Sequence, residues 1–117
     1  MPTHHAIDYV EFSVRDLAES KRFYADAFGW RFTEYSPEYA GIQASEPGRE
    51  AGGLAQTDDV RTGGPLVVLT SDDLEASLAA VEAAGGVVST PPFAFPGGRR
   101  FHFRDPSGNE LAVASYG

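Results

Sequence analysis

Asp16-Leu17-Ala18-Glu19-Ser20 and Asp73-Leu74-Glu75-Ala76-Ser77 are the two stretches on which the fold turns, because the second repeats the first at an offset of 57 residues. That offset is close to half of the 117-residue chain. It also carries Gly29 onto Gly86 and Tyr9-Val10-Glu11-Phe12 onto Leu66-Val67-Val68-Leu69. A fixed period of this length marks two copies of one supersecondary unit. Paired copies build a shared cleft from corresponding inward positions, so those positions can be read off and tested for chemistry.

Working outward, Asp16 and Asp73 each cap a helix. From Leu17 to Phe28 the apolar positions Leu17, Phe23, Tyr24, Ala27 and Phe28 fall on one helical stripe, and Gly29 is suited to the left-handed cap that ends it. Ahead of this helix, Ile7 to Val14 alternates as a half-buried strand, with Tyr9, Glu11 and Ser13 on one face and Val10, Phe12 and Val14 on the other. Beyond it, Trp30 to Tyr35, Tyr39 to Ser45 and Gly52 to Gln56 read as strands, the last two separated by Glu46-Pro47-Gly48. Polar Thr57 to Pro65 joins the copies. The second copy runs from the strand Leu66 to Leu69 through a helix from Asp73 to Ala84, stopped by Gly85-Gly86. A strand from Val87, a proline- and glycine-rich loop from Pro91 to Gly98, and strands Arg100 to Arg104 and Glu110 to Ser115 complete it. The reading is an α+β chain with two βαβββ modules, about residues 5–57 and 65–116, in a single domain spanning 1–117.

Composition narrows the function. Seventeen acidic residues against nine basic give a formal charge of −8, which disfavours nucleic-acid binding and favours neutral or cationic ligands. Without cysteine there are no disulfides, thiolate nucleophiles or zinc-thiolate sites. Met1-Pro2-Thr3-His4-His5 has neither a basic n-region nor an apolar core, and no stretch approaches the roughly 20 apolar residues of a span, so neither a leader nor a membrane partner is expected. The expected location is the cytoplasm. His4 and His5, close to the terminus, are read as solvated and not as ligands.

Several segments resemble the vicinal-oxygen-chelate superfamily, the glyoxalase, bleomycin-resistance and extradiol-dioxygenase group. They are Asp16 with Phe23-Tyr24 and Phe28-Gly29-Trp30 in module one, and Asp73-Leu74, Ala84-Gly85-Gly86 and Phe103-Arg104-Asp105-Pro106-Ser107-Gly108-Asn109 in module two. The resemblance implies two modules curling into a half-open, barrel-like cleft for a small-molecule ligand, usually in a homodimer. It fixes fold far better than reaction.

Metal-using members place ligands on the first and last strands of each module. The matching positions here are Tyr9, Leu66 and Ala112, with a module-one counterpart near Ala55. Leucine and alanine cannot ligate, so no metal and no cofactor is expected at the inherited site. A displaced site built from Glu11, Glu110 and His102 is the alternative.

Other candidates come from strand parity and loops. Glu11 shares a face with Tyr9 and suits acid-base work, or else pairs with an arginine. His102 faces the cleft if Phe101 and Phe103 pack on the helices, and faces out otherwise. Tyr9 binds ligand or fills the space of a metal. Tyr35, Tyr39, Phe93 and Phe95 flank loops suited to ligand binding, and Leu66, Glu110 and Ala112 share the inherited positions or lie beside them. Gly97-Gly98 reads as the hinge of a lid. The leading function is a small-molecule-binding protein without the usual metal ligands, of the kind that sequesters an antibiotic or toxin. The alternative is a lyase, isomerase or dioxygenase-like enzyme using Glu11 and His102 or the displaced metal site.

Overall fold

A computed structural model describes His4, Ile7 and residues 9–116. His5 falls outside the described residues, as does Asp8 within the expected first strand. The order is β1 (Val10–Val14), α1 (Leu17–Phe28), β2 (Phe32–Ser36), β3 (Tyr39–Gln43) and β4 (Glu50–Gln56), then β5 (Val67–Thr70), α2 (Leu74–Ala83), β6 (Val87–Phe95), β7 (Gly98–Arg104) and β8 (Glu110–Tyr116). Each half is a βαβββ unit. Each forms its own four-stranded sheet, ordered β1-β4-β3-β2 and β5-β8-β7-β6, and the two are not closed into a barrel. The first strand of each unit lies parallel to the last, Val10 opposite Gly52 and Val67 opposite Leu111, because the helix returns the chain to the same end of the sheet.

The caps form as the sequence dictates. Asp16 accepts from the Glu19 amide at 2.9 Å, and Asp73 accepts from the Ala76 amide at 3.1 Å. Gly29 ends α1 with φ of 73°, a conformation that costs a side chain with Cβ. The helices bury Leu17, Ser20, Phe23 and Tyr24 from α1 and Leu74 and Val81 from α2. Against them lie Phe12, Val14, Ala40, Ile42 and Leu54 from the first sheet and Phe101, Phe103, Leu111 and Val113 from the second. Every one of those strand residues sits on the parity opposite to Glu11 or His102, so each sheet has one helix-covered face and one helix-free face.

One aromatic cluster joins the halves. Tyr24 stacks on Trp30 at 4.5 Å, while Phe23 and Phe28 of α1 meet Phe103 of β7 at 6.0 and 5.7 Å. Each such buried ring contributes roughly 1.5–3 kcal/mol. Among the described residues no helix is long and apolar enough to cross a membrane.

The segment from Pro91 to Gly98 differs from expectation. Pro91 through Phe95 continue β6, only Pro96-Gly97 turns, and Gly98 already belongs to β7. The segment is a hairpin, not a loop with a glycine-hinged lid. Two prolines are tolerated because β6 is an edge strand and its pairing with β7 shifts register between Thr90 and Phe93, exactly where ladder donors are not required of Pro91 and Pro92.

Candidate functional site

A cleft of about 950 Å³ opens on the helix-free side, between β1 of module one and the β5 and β8 strands of module two. Tyr9, Glu11, Ser13, Ala55, Leu66 and Glu110 are among its lining residues. Three of the four inherited ligand positions therefore meet there. The fourth, Ala112, is fully buried in β8, where it pairs with Val68 and His102.

The donor set does not fit a catalytic metal. Of Tyr9, Ala55, Leu66 and Ala112, only the tyrosine carries a side-chain oxygen, and three ligating atoms would still be missing. Among the described residues, no three His, Asp or Glu side chains gather closely enough to hold an ion, Glu11, Glu110 and His102 included.

The helix-free face of module one carries a hydrogen-bonded phenol chain, of which Tyr9 and Glu11 line the cleft and Tyr39 does not. Tyr39 donates to Glu11 Oε1 at 3.1 Å, and its oxygen lies 2.5 Å from that of Tyr9. A phenol has one proton, so with Tyr39 donating to Glu11, Tyr9 donates to Tyr39. Partial burial, then the bonds with Tyr9 and Glu11, push the Tyr39 phenol well above its ordinary range, and it stays protonated at neutral pH. The chain leaves the Tyr9 oxygen and the second Glu11 oxygen as open acceptors. Glu11 finds a tyrosine here and not an arginine.

Gly53 makes this possible. It sits opposite both Glu11 and Gly41, and a Cβ built on it would strike the Tyr39 and Tyr9 hydroxyls. The two rings reach across the strand because nothing rises from it. The Gly52-Gly53 pair within a strand was the sequence signal for this close approach, and sequence reasoning missed it.

Tyr35 packs on Tyr39, with ring centres 6.3 Å apart, but does not line this cleft. It donates to Glu50, a bond that raises its phenol pKa, and both residues line a second cavity of about 1070 Å³ bounded by residues 43–50. Tyr9 borders both cavities. The smaller one is the candidate site, because its lining spans the two modules and includes three of the four positions that the family resemblance implies.

In module two, Phe101 and Phe103 are fully buried against the helices, which turns His102 to the helix-free face. Its Nδ1 lies 3.3 Å from Glu110 Oε2, and the same oxygen accepts from Ser89 Oγ at 2.9 Å. Ser89 was not anticipated. Its hydrogen bond is the main reason that the Glu110 carboxyl is held below its ordinary value, against the opposing effect of burial and with help from His102 and the Arg104 charge. Glu11 and His102 thus belong to separate clusters, although Glu11 and Glu110 line the same cleft. Phe93 and Phe95 are not among the cleft's lining residues; they flank Arg100 at 5.4 and 5.5 Å from ring centre to guanidinium carbon.

The modules are fastened beside this cleft by the turn before β8. Asn109 donates to the Ser13 carbonyl at 2.9 Å, and Arg15 donates to Ser107 Oγ and to its carbonyl at 2.9 and 3.0 Å. These contacts fix β1 against module two.

Comparison with known proteins agrees with this architecture. A "Glyoxylase-like domain-containing protein" of Didymella fabae is 29% identical, covering 98% of this chain and 97% of that protein. The fold is similar to that of a glyoxalase-related enzyme from Fulvimarina pelagi, with a TM-score of 0.81 at 23% identity over 95% of this chain and 88% of that one. It is also similar to a glyoxalase/bleomycin resistance protein/dioxygenase family enzyme from Burkholderia phytofirmans, with a TM-score of 0.78 at 20% identity over 94% of this chain and 98% of that one. The family model for the Glyoxalase/Bleomycin resistance protein/Dioxygenase superfamily matches residues 6–113, and the chain belongs to that superfamily.

Proposed function

We propose that this chain binds a small molecule in the cleft between its modules, without the metal that many of its relatives use, and that it sequesters its ligand. The observation that carries the reading is that Tyr9 and Glu11, linked through Tyr39 behind them, present hydrogen-bonding oxygens to a 950 Å³ cleft whose other expected ligand positions hold Ala55 and Leu66. Such a volume suits a drug-sized molecule. The open atoms of the chain are acceptors, so it selects ligand hydroxyl, amine or ammonium groups, and the negative charge of the protein favours the cationic ones. We take the working unit to be a homodimer in the cytoplasm.

The decisive experiment combines elemental analysis of the dialysed protein with a thermal-shift screen of cationic and neutral antibiotics. The expected result is no stoichiometric metal and a saturable stabilisation by at least one compound. About one ion per chain, retained through dialysis, would overturn the metal-independent part of the reading. Sedimentation tests the dimer: a monomer throughout the micromolar range would contradict it.

A second reading, acid-base catalysis, draws on the His102–Glu110 pair, whose carboxylate orients the ring while Nε2, buried and without a hydrogen-bond partner, would act only on a ligand that reaches it as the cleft opens. Turnover of a bound compound, abolished in His102→Gln, would establish it over sequestration.

A further inference from the structure

Arg100 stands on the helix-free face of β7, two residues before His102 and opposite Phe93 and Ala114. Its guanidinium carbon lies 5.4 Å from the Phe93 ring centre and 5.5 Å from that of Phe95. No carboxylate, carbonyl or hydroxyl of the described residues accepts from it, and its Nε is buried without a partner. In a chain of net charge −8 such a vacancy calls for explanation. Among the described residues, two carboxylates bonded to the neighbouring β7 residues are already engaged: Glu75 by Arg99 and Glu110 by Ser89 and His102. The β8 partners Ala114 and Ala112, opposite Arg100 and His102, carry no side-chain acceptor. His102 Nε2 is a second buried nitrogen without a partner on the same face.

A half-buried guanidinium left without acceptors costs free energy that a ligand can recover. Its aromatic neighbours limit its rotation, and with Nε covered, the terminal nitrogens form the edge that remains for recognition. That edge matches a planar carboxylate better than a point charge. Phe93 and Phe95, with Tyr116 edge-on to Phe95 at 5.9 Å, supply an apolar border beside it.

We propose that Arg100, bordered by Phe93 and Phe95, is an anchoring site for a small organic carboxylate with an aromatic body, separate from the acceptor-rich Tyr9–Tyr39–Glu11 wall. The separation is chemical as well as spatial, since Arg100 does not line the 950 Å³ cleft. The site goes beyond the binding reading above and does not depend on it.

The test uses the full chain and two probes of one shape, phenylacetate and its neutral amide, followed by amide chemical shifts in a titration at low salt. Phenylacetate is expected to bind at least about tenfold more tightly than the amide, to shift residues 93–102 most, and to weaken as salt is added. Arg100→Gln should abolish the preference, and Arg100→Lys, which keeps the charge but loses the fork, should reduce it. Equal binding of acid and amide, no binding of either, or a preference that survives Arg100→Gln would each overturn the proposal. The comparison on the unsubstituted chain needs no variant to fold. Shifts confined to Tyr9, Glu11 and Leu66 would overturn the anchor, whereas shifts confined to 93–102 would support it and leave the reading of the intermodular cleft as it stands.

Discussion

Tyr24, in the first helix, donates to Asp105 Oδ2 at 2.8 Å across 81 residues of chain, and both groups are buried. The bond joins α1 to the turn that precedes β8. Asp105 does more than accept from Tyr24: its Oδ1 takes the Ser107 and Asn109 amides, each at 2.9 Å, and Oδ2 also takes Asn109 Nδ2 at 3.1 Å. Burial, then the charge of Asp105 and this bond, push the Tyr24 phenol far above its ordinary range. One carboxylate thereby organises the turn whose Asn109 and Ser107 hold β1 in place.

Removing either partner should therefore destabilise the fold, but unequally. Tyr24→Phe keeps the ring and leaves Asp105 three other donors, so a loss of about 1–2 kcal/mol is expected. Asp105→Ala strands the Tyr24 hydroxyl and two amides together, and a loss of about 3–5 kcal/mol is expected. Urea denaturation of the two variants checks the order. Equal losses would mean that the turn does not depend on its carboxylate.

Much of this was legible in the sequence, because the determinants are local. Asp16 and Asp73 cap, Gly29 terminates, and the alternation of Phe101 and Phe103 around His102 fixes which way the histidine faces once the phenylalanines are buried. What escaped was long-range or register-dependent. The prolines of β6 read as a loop because the edge position and irregular pairing that admit them are tertiary facts. The Tyr9–Tyr39 contact spans 30 residues and depends on a glycine in a third strand. That Arg100 stands without a carboxylate is likewise a tertiary fact, since its neighbours' carboxylates are taken by Arg99, Ser89 and His102.

Adjacent glycines in β4 should respond in opposite ways to one methyl group. A Cβ on Gly52 would meet the Val10 backbone carbonyl, whereas one on Gly53 would meet the ends of two tyrosine side chains. Backbone cannot move without parting β1 from β4, and a phenol end can swing aside. Gly52→Ala is expected to cost about 2–4 kcal/mol, and Gly53→Ala no more than about 1 kcal/mol. Thermal melts report the difference, and tyrosine fluorescence should change in the Gly53 variant alone as the Tyr9–Tyr39 pair opens.

Acid should loosen module two through Glu110. Its folded pKa lies below the ordinary 4.5, chiefly through the Ser89 bond, so its stabilising contribution is fully present above that value and is lost as pH falls through the folded one. Stability measured downward from pH 6 should decline less steeply below about pH 4.5 in Glu110→Gln than in the unsubstituted chain. In Ser89→Ala the Glu110 titration, followed by carboxyl carbon shifts, should move upward. An unmoved titration would show that Ser89 is not the main cause.

The phenol chain gives the last test, which separates binding from catalysis in the intermodular cleft. Tyr39 holds the Glu11 carboxylate and receives the Tyr9 proton, so Tyr39→Phe breaks both links while keeping the ring over Gly53. Tyr9 then regains a free proton and becomes a donor toward the ligand, and Glu11 loses a fixed orientation. For a ligand that donates to these oxygens, affinity should fall by about 1–2 kcal/mol, or roughly tenfold, with the fold intact. Glu11→Gln makes the complementary change, turning an acceptor into a mixed donor and acceptor and removing one negative charge. In a sequestering protein it should change affinity alone, most strongly for cationic ligands. In an acid-base enzyme it should reduce turnover by about 10²-fold or more with affinity largely kept. Calorimetry beside a turnover assay, on the compound found by the thermal screen, reads both quantities. If both variants bind that compound as the unsubstituted chain does, the ligand does not contact the Tyr9–Tyr39–Glu11 wall, and the functional cleft must be sought on the 1070 Å³ side of Tyr9.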